Sequence, residues 1–250
     1  MPTALQAEGI TAGYGKVPVV WEIAARAESG KVVAILGPNG SGKSTFMKAI
    51  TGQIHVDAGA VSVAGKDVTG LPGHLIARSG LGYVPQVGNV FPSLTVVENL
   101  EMGGFTRKSG LKERIAQVLD IFPDLKLARA KRGGALSGGQ RNLLGIARAL
   151  MIDPVVVLLD EPTAGLSPAY TQIVWDQVRR IAAAGAAVVV VEQNVDLALE
   201  SADWIYLLVD GRNHLQGTPA EVQTHDISAI FLGGNGGNGH PNSNGPHTGH

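Results

Sequence analysis

Residues 37–45 read Gly37-Pro38-Asn39-Gly40-Ser41-Gly42-Lys43-Ser44-Thr45, between a short apolar run, Lys31 to Leu36, and a helix-like pattern from Lys43 to Thr51. A glycine, four residues and then Gly-Lys-Ser, placed between a strand and a helix, make an anion cradle. Glycines let successive backbone N–H groups turn inward, and the helix dipole adds partial positive charge at the same point. All nine residues are therefore candidates for phosphate binding. Lys43 would reach the β- and γ-phosphates of a nucleotide, and the Ser44 hydroxyl would sit on Mg²⁺, a hard cation that prefers oxygen ligands.

Two further apolar runs, Val155 to Leu159 and Ala186 to Val191, are continuous rather than alternating, as expected of strands buried on both faces of a parallel sheet. The first ends in Asp160-Glu161-Pro162. Acids at the carboxyl end of a parallel strand face the crevice where open α/β sheets bind ligands. Asp160 is the natural second anchor for Mg²⁺, and Glu161 the group that accepts a proton from an attacking water. The opening thirty residues alternate instead, with Val19, Trp21, Ile23 and Ala25 set against Val20, Glu22, Ala24 and Arg26, which predicts a half-exposed antiparallel strand. Between Phe91 and Leu150 the apolar spacing is helical, over Glu98 to Met102, Leu111 to Phe122 and Gly138 to Met151. That segment reads as a helical insertion in an α/β domain.

Composition narrows the chemistry. The 250 residues include no cysteine, which removes thiol nucleophiles and thiolate metal sites, and 20 Lys+Arg stand against 21 Asp+Glu with no long basic run. Nucleic acid is not an expected partner. The longest stretch without a charged or strongly polar residue, Ile181 to Val191, has eleven residues, too few to cross a bilayer. The amino terminus lacks the basic start and apolar stretch of a secretory signal, so the expected location is the cytosol. Residues 233–250 hold no apolar side chain larger than proline and read as a disordered tail rich in Gly, Asn and His, whose histidines are spaced for solvent rather than for a metal.

Leu136-Ser137-Gly138-Gly139-Gln140 adds a second candidate anion site at a helix start, although Ser137 there also suits an ordinary helix cap. One nucleotide already has its phosphates wrapped by residues 37–45, so a second site implies a sandwich of two domains. With the acidic strand end, these motifs make the chain resemble the ATPase subunit of an ABC transporter over residues 3–232. The resemblance implies an α/β P-loop NTPase fold with an N-terminal antiparallel β subdomain and an inserted helical subdomain at about 87–150. It implies ATP and Mg²⁺ as ligands, with Ser137, Gly138, Gly139 and Gln140 touching nucleotide.

Other positions follow from the same resemblance. Tyr14, in Gly13-Tyr14-Gly15, matches the aromatic that stacks on adenine. Gln86, in Tyr83-Val84-Pro85-Gln86, matches the glutamine that touches Mg²⁺ and water and hinges the helical insertion, and Ala164 to Pro168 match the loop that crosses the dimer interface. Two positions depart from the usual pattern: Ser167 stands where the family has aspartate, and Gln193 stands where it has a switch histidine. An amide hydrogen-bonds a γ-phosphate but carries no charge, so slower turnover is expected than with histidine.

Several local phrases resemble the smaller ATPase subunit of branched-chain amino-acid importers: Val84-Pro85-Gln86, Val90 to Val96, Glu98 to Gly104, Val191-Glu192-Gln193-Asn194 and Phe231 to Gly234. That resemblance implies membrane permease subunits as partners, a second ATPase subunit or a second copy of this chain completing the sandwich, and a place on the inner face of the cell membrane. A urea or amide importer, and a regulatory ATPase uncoupled from transport, are the alternatives.

Overall fold

The computed structural model describes residues 1–233. The expected disordered tail lies outside the described residues from 234 onward, while Gly233 itself closes the last helix. The chain runs β1 (Thr3–Tyr14), β2 (Val17–Glu28), β3 (Val32–Leu36), α1 (Lys43–Ile50), β4 (Val56–Val63), β5 (Lys66–Asp67), α2 (Gly73–Arg78) and β6 (Leu81–Val84). There follow α3 (Val96–Gly103), α4 (Leu111–Ile121), α5 (Pro123–Leu127) and α6 (Gly138–Leu150), with a 3₁₀ turn at Gly133–Ala135. The remainder is β7 (Val156–Asp160), α7 (Pro168–Ala183), β8 (Ala187–Glu192), α8 (Val195–Ser201), β9 (Trp204–Val209), β10 (Arg212–Gly217), α9 (Pro219–Val222) and α10 (Ile227–Gly233).

Two sheets result. One is antiparallel, in the order β2-β1-β4-β5; the other runs β10-β9-β3-β8-β7-β6, parallel except for β10. Every residue of β3, β7 and β8 is buried, which explains their unbroken apolar sequences. The alternation in β2 holds from Ile23 to Ala27 but inverts below it, where Val20 is buried while Val19 and Trp21 are half-exposed. The cause is a bulge: the pairing with β1 shifts between Ile23 and Val20, and Glu22 takes a left-handed φ of 53°.

Helix α1 is held between the sheets. Its Phe46, Met47, Ala49 and Ile50 pack in one cluster with Val33 and Ile35 of β3, Leu158 of β7, and Leu5, Ile10 and Val61 of the antiparallel sheet. Full burial of a side chain such as Phe46 stabilises by about 1.5–3 kcal/mol. The opposite face of the parallel sheet is covered by helices between Val96 and Ala183, with Leu144, Ile146, Trp175 and Val178 against Val157, Leu159, Val188 and Val190. Neighbouring strands stop level: Leu36 pairs Glu192, Asp160 pairs Val191, and Val84 pairs Leu159. The segments leaving β3, β8, β7 and β6 therefore emerge side by side at one edge of the sheet.

Candidate active site

The first of those segments is the loop 37–42. Gly40 (φ 84°) and Gly42 (φ 94°) take left-handed backbone conformations, and at Gly42 a Cβ would also lie 2.5 Å from Val20 Cγ1. Only glycine turns the chain there so tightly onto β2. Lys43 opens α1, is buried, and curls back so that Nζ donates to the carbonyls of Gly37 (2.7 Å) and Pro38 (3.0 Å). Burial lowers its pKa, opposed by Glu161 and Asp160. A cavity of about 170 Å³ is lined by Asn39, Gly40, Gly42, Lys43, Ser44, Thr45, Val19 and Glu161, so the loop and the acid share one space. Ser41 is also buried, and its hydroxyl has no partner.

Glu161 leaves β7 with a left-handed φ of 46°, braced by its N–H donating to the Val191 carbonyl at 2.9 Å. Its two oxygens accept from two amides: Gln86 Nε2 at 2.7 Å and Gln193 Nε2 at 2.6 Å. Three residues picked from separate parts of the sequence thus meet at one carboxylate. Gln86 reaches it from the end of β6 and Gln193 from the end of β8.

Asp160 is buried at the tip of β7; Tyr83 Oη donates to its Oδ2 at 3.4 Å, and Oδ1 is buried with no partner. Burial, then the adjacent Glu161, raise its pKa, with Tyr83 and Lys43 opposing. The same burial and the Asp160 charge push the Tyr83 phenol up to about 12. Glu192 is the third acid of the edge, its pKa raised chiefly by burial and lowered by hydrogen bonds from Thr163. Asp160 and Glu161 act on the buried Lys43, and the orphaned Asp160 oxygen suits a cation ligand. Among the described residues no trio of His, Asp and Glu could cage a metal alone. The donor set that fits Mg²⁺ is Ser44, Asp160 and the phosphate oxygens of a nucleotide.

Tyr14 stands half-exposed at the end of β1, with Lys48 of α1 5.5 Å over its ring and Lys48 Nζ donating to its hydroxyl at 3.2 Å. That hydrogen bond lowers the Tyr14 pKa. Ser137 lies elsewhere: it caps α6, accepting from Gln140 N–H at 3.2 Å while Gln140 Oε1 accepts from Ser137 N–H at 3.2 Å. The helix-cap geometry is therefore realised, and Ser137, Gly138, Gly139 and Gln140 line neither the cavity of Lys43 nor that of Gln193. Gly139 has a further constraint, since a Cβ there would meet the Tyr170 ring at 2.1 Å. Ser167 precedes α7 without a side-chain cap bond.

Sequence reasoning passed over Tyr83, Lys48, Thr163 and the contact role of Glu192. Tyr83 lies three residues before Gln86, and the pairing of β6 with β7 brings its hydroxyl to Asp160.

A family model described as "ABC transporter" matches residues 21–164. The chain belongs to the ABC transporter family. Its fold and loop geometry are those of an ATP-binding-cassette ATPase, and the chain binds ATP and hydrolyses it. A probable branched-chain amino acid transport ATP-binding protein LivF of Archaeoglobus fulgidus is 41% identical over 219 residues, covering 87% of this chain and 93% of the relative. The high-affinity branched-chain amino acid transport ATP-binding protein BraG of Pseudomonas aeruginosa is 36% identical over 232 residues, 92% of this chain and all of the relative. The lipopolysaccharide export system ATP-binding protein LptB of Acidithiobacillus ferridurans is 34% identical, covering 93% of this chain and 98% of its own. Among solved structures, the ADP conformation of the ABC transporter cassette MJ1267 superposes with a TM-score of 0.84 at 28% identity, covering 93% of this chain and all of that one. No helix among the described residues is long and apolar enough to cross a membrane.

Proposed function

We propose that this ATPase powers an ABC importer for branched-chain or related amino acids, working on the inner face of the cell membrane. The observation that carries the catalytic part is the convergence of the Gln86 and Gln193 amides on Glu161, beside the cavity that Lys43 lines. Phosphoryl transfer to water needs little covalent help from protein; positioning and electrostatics do most of it. Lys43 is already desolvated and needs only to exchange two loop carbonyls for phosphate oxygens. Glu161 accepts a proton from the attacking water, with both of its oxygens fixed by amides so that the basic lone pairs keep one direction. Ser44, Asp160 and Gln86 would hold Mg²⁺, which would neutralise phosphate charge.

Tyr14 offers a flat face for adenine. Ser137, Gly138, Gly139 and Gln140 engage the γ-phosphate of a nucleotide bound to a second ATPase domain, because within one chain they stand apart from the loop. That domain is a different ATPase subunit in the cell, or a second copy of this chain. The permease contact falls at a cavity of about 460 Å³ lined by residues of β6, α3 and α6, including Tyr83, Met102, Phe105 and Arg148. Val87, Phe91, Met102 and Phe105 stay exposed around it, an apolar rim suited to a membrane partner's helix. The domain is residues 3–232, with the helical insertion at about 87–150.

The importer reading draws on the 41% and 36% identical relatives named for branched-chain amino acid transport. A lipid-export ATPase is the second reading, favoured by the 34% identical LptB. ATP-driven uptake of labelled leucine, in vesicles holding the ATPase with its permease subunits, separates them. Uptake abolished by Lys43→Ala supports the first. Absence of uptake for leucine, urea and amides alike, with Lys43-dependent hydrolysis retained, rejects it in favour of export or a regulatory ATPase.

A further inference from the structure

Glu192 ends β8 and is 3% exposed, yet the mechanism above gives it no task. Keeping a carboxylate in the interior is costly unless its oxygens are well satisfied. Those of Glu192 are: Oε1 accepts from the Thr163 hydroxyl at 2.6 Å and the Thr163 N–H at 3.2 Å, and Oε2 accepts from the Gln193 N–H at 3.3 Å. Thr163, 9% exposed, comes two residues after Glu161. One buried carboxylate therefore grips both the turn that carries Glu161 and the residue whose amide holds it.

That turn needs holding. A left-handed backbone at a non-glycine residue costs free energy and persists only where its surroundings over-determine it. Besides the two amides on the Glu161 side chain, three contacts pin the backbone turn: Glu161 N–H on the Val191 carbonyl, Asn142 on the Pro162 carbonyl, and Thr163 on Glu192. Of these three, the last ties the turn to a side chain of β8 itself, next to Gln193. We propose that Glu192 is a positioning residue for ATP hydrolysis, clipping Thr163 to the end of β8 and so keeping Glu161 in register with Gln193. The proposal rests on the reading of Glu161 as the base.

The test uses the full chain in the assembly that supports wild-type turnover. Glu192→Gln keeps the shape but sets an amide donor among N–H donors. Thr163→Val removes the hydroxyl from the other side, and Thr163→Ser keeps it. The expected result is a fall in kcat of about tenfold or more for Glu192→Gln and Thr163→Val, with KM for ATP and fluorescent-nucleotide affinity within about twofold of wild type. Thr163→Ser should restore most of the rate, and Glu192→Gln with Thr163→Val should be no worse than the poorer single variant, because both break one clip. The proposal is overturned by kcat within about twofold of wild type in either single variant, by losses that multiply in the double variant, or by a rise in KM that accounts for the whole effect. Glu161→Gln is assayed alongside. Retained turnover there removes the base assignment itself, whereas loss there with normal turnover in Glu192→Gln removes only the clip.

Discussion

Replacing Gln193 by alanine deletes one of the two amides that fix Glu161, at a donor–acceptor distance of 2.6 Å. A hydrogen bond to a charged acceptor contributes about 1.5–3 kcal/mol. Gln193 is exposed and Glu161 half-exposed, so water partly replaces the lost donor and the lower end applies. A barrier raised by roughly 1.5 kcal/mol corresponds to about a tenfold lower kcat. The phosphate-loop contacts of Lys43 do not involve Gln193, so KM should stay within about twofold. Steady-state hydrolysis across an ATP titration measures both constants at once. Gln193→His places a donor able to carry charge at the same point, and its kcat should exceed that of the native chain. A kcat for Gln193→Ala within about twofold of native, or a raised KM at unchanged kcat, refutes the assignment of the amide to the hydrolytic step. A histidine variant no faster than native refutes the view that the missing charge slows this chain.

Other outcomes follow from separate features. Phe46→Ala empties a fully buried position between the sheets and should lower stability by about 3–5 kcal/mol in denaturant unfolding, a loss under about 1 kcal/mol contradicting that packing. Gly42→Ala brings a Cβ to 2.5 Å from Val20 Cγ1 on a left-handed backbone, so nucleotide affinity should fall sharply in equilibrium titration. Asp160 has its pKa raised by burial and by Glu161, so in nucleotide-free protein its contribution is fully present below the ordinary carboxylate range and is lost as pH climbs to the raised value. Asp160→Asn should remove that downward slope of Tm with pH and give a higher Tm at neutral pH while abolishing hydrolysis; an unchanged slope would count against the burial argument.

Much of the candidate site was legible in sequence because it is built from local signals. The loop 37–45 announces itself through its glycines, and Asp160 and Glu161 through the apolar run that precedes them. Buried strands β3, β7 and β8 were legible within a residue of their ends for the same reason, being apolar on both faces. The antiparallel strand β2 was legible only in part, since the bulge at Glu22 reverses which side chains face inward and no local residue pattern encodes it. Gln193 could be placed by resemblance, but not its bond to Glu161, which depends on β7 and β8 being neighbours. Glu192 and Tyr83 were opaque for that reason as well, their meaning residing in cross-strand contacts. Short helix α5 has too few turns to display a period.

The paired amides on Glu161 have a consequence for control. Gln86 arrives on the segment that leads into the helices between β6 and β7, and Gln193 on the segment leaving β8. On the proposed reading of Glu161 as the base, displacement of either amide lets the carboxylate turn, and the attacking water is then aimed less well. A base held this way behaves as a coincidence detector, at full strength only while two distant stretches of chain report at the same moment that they are in place.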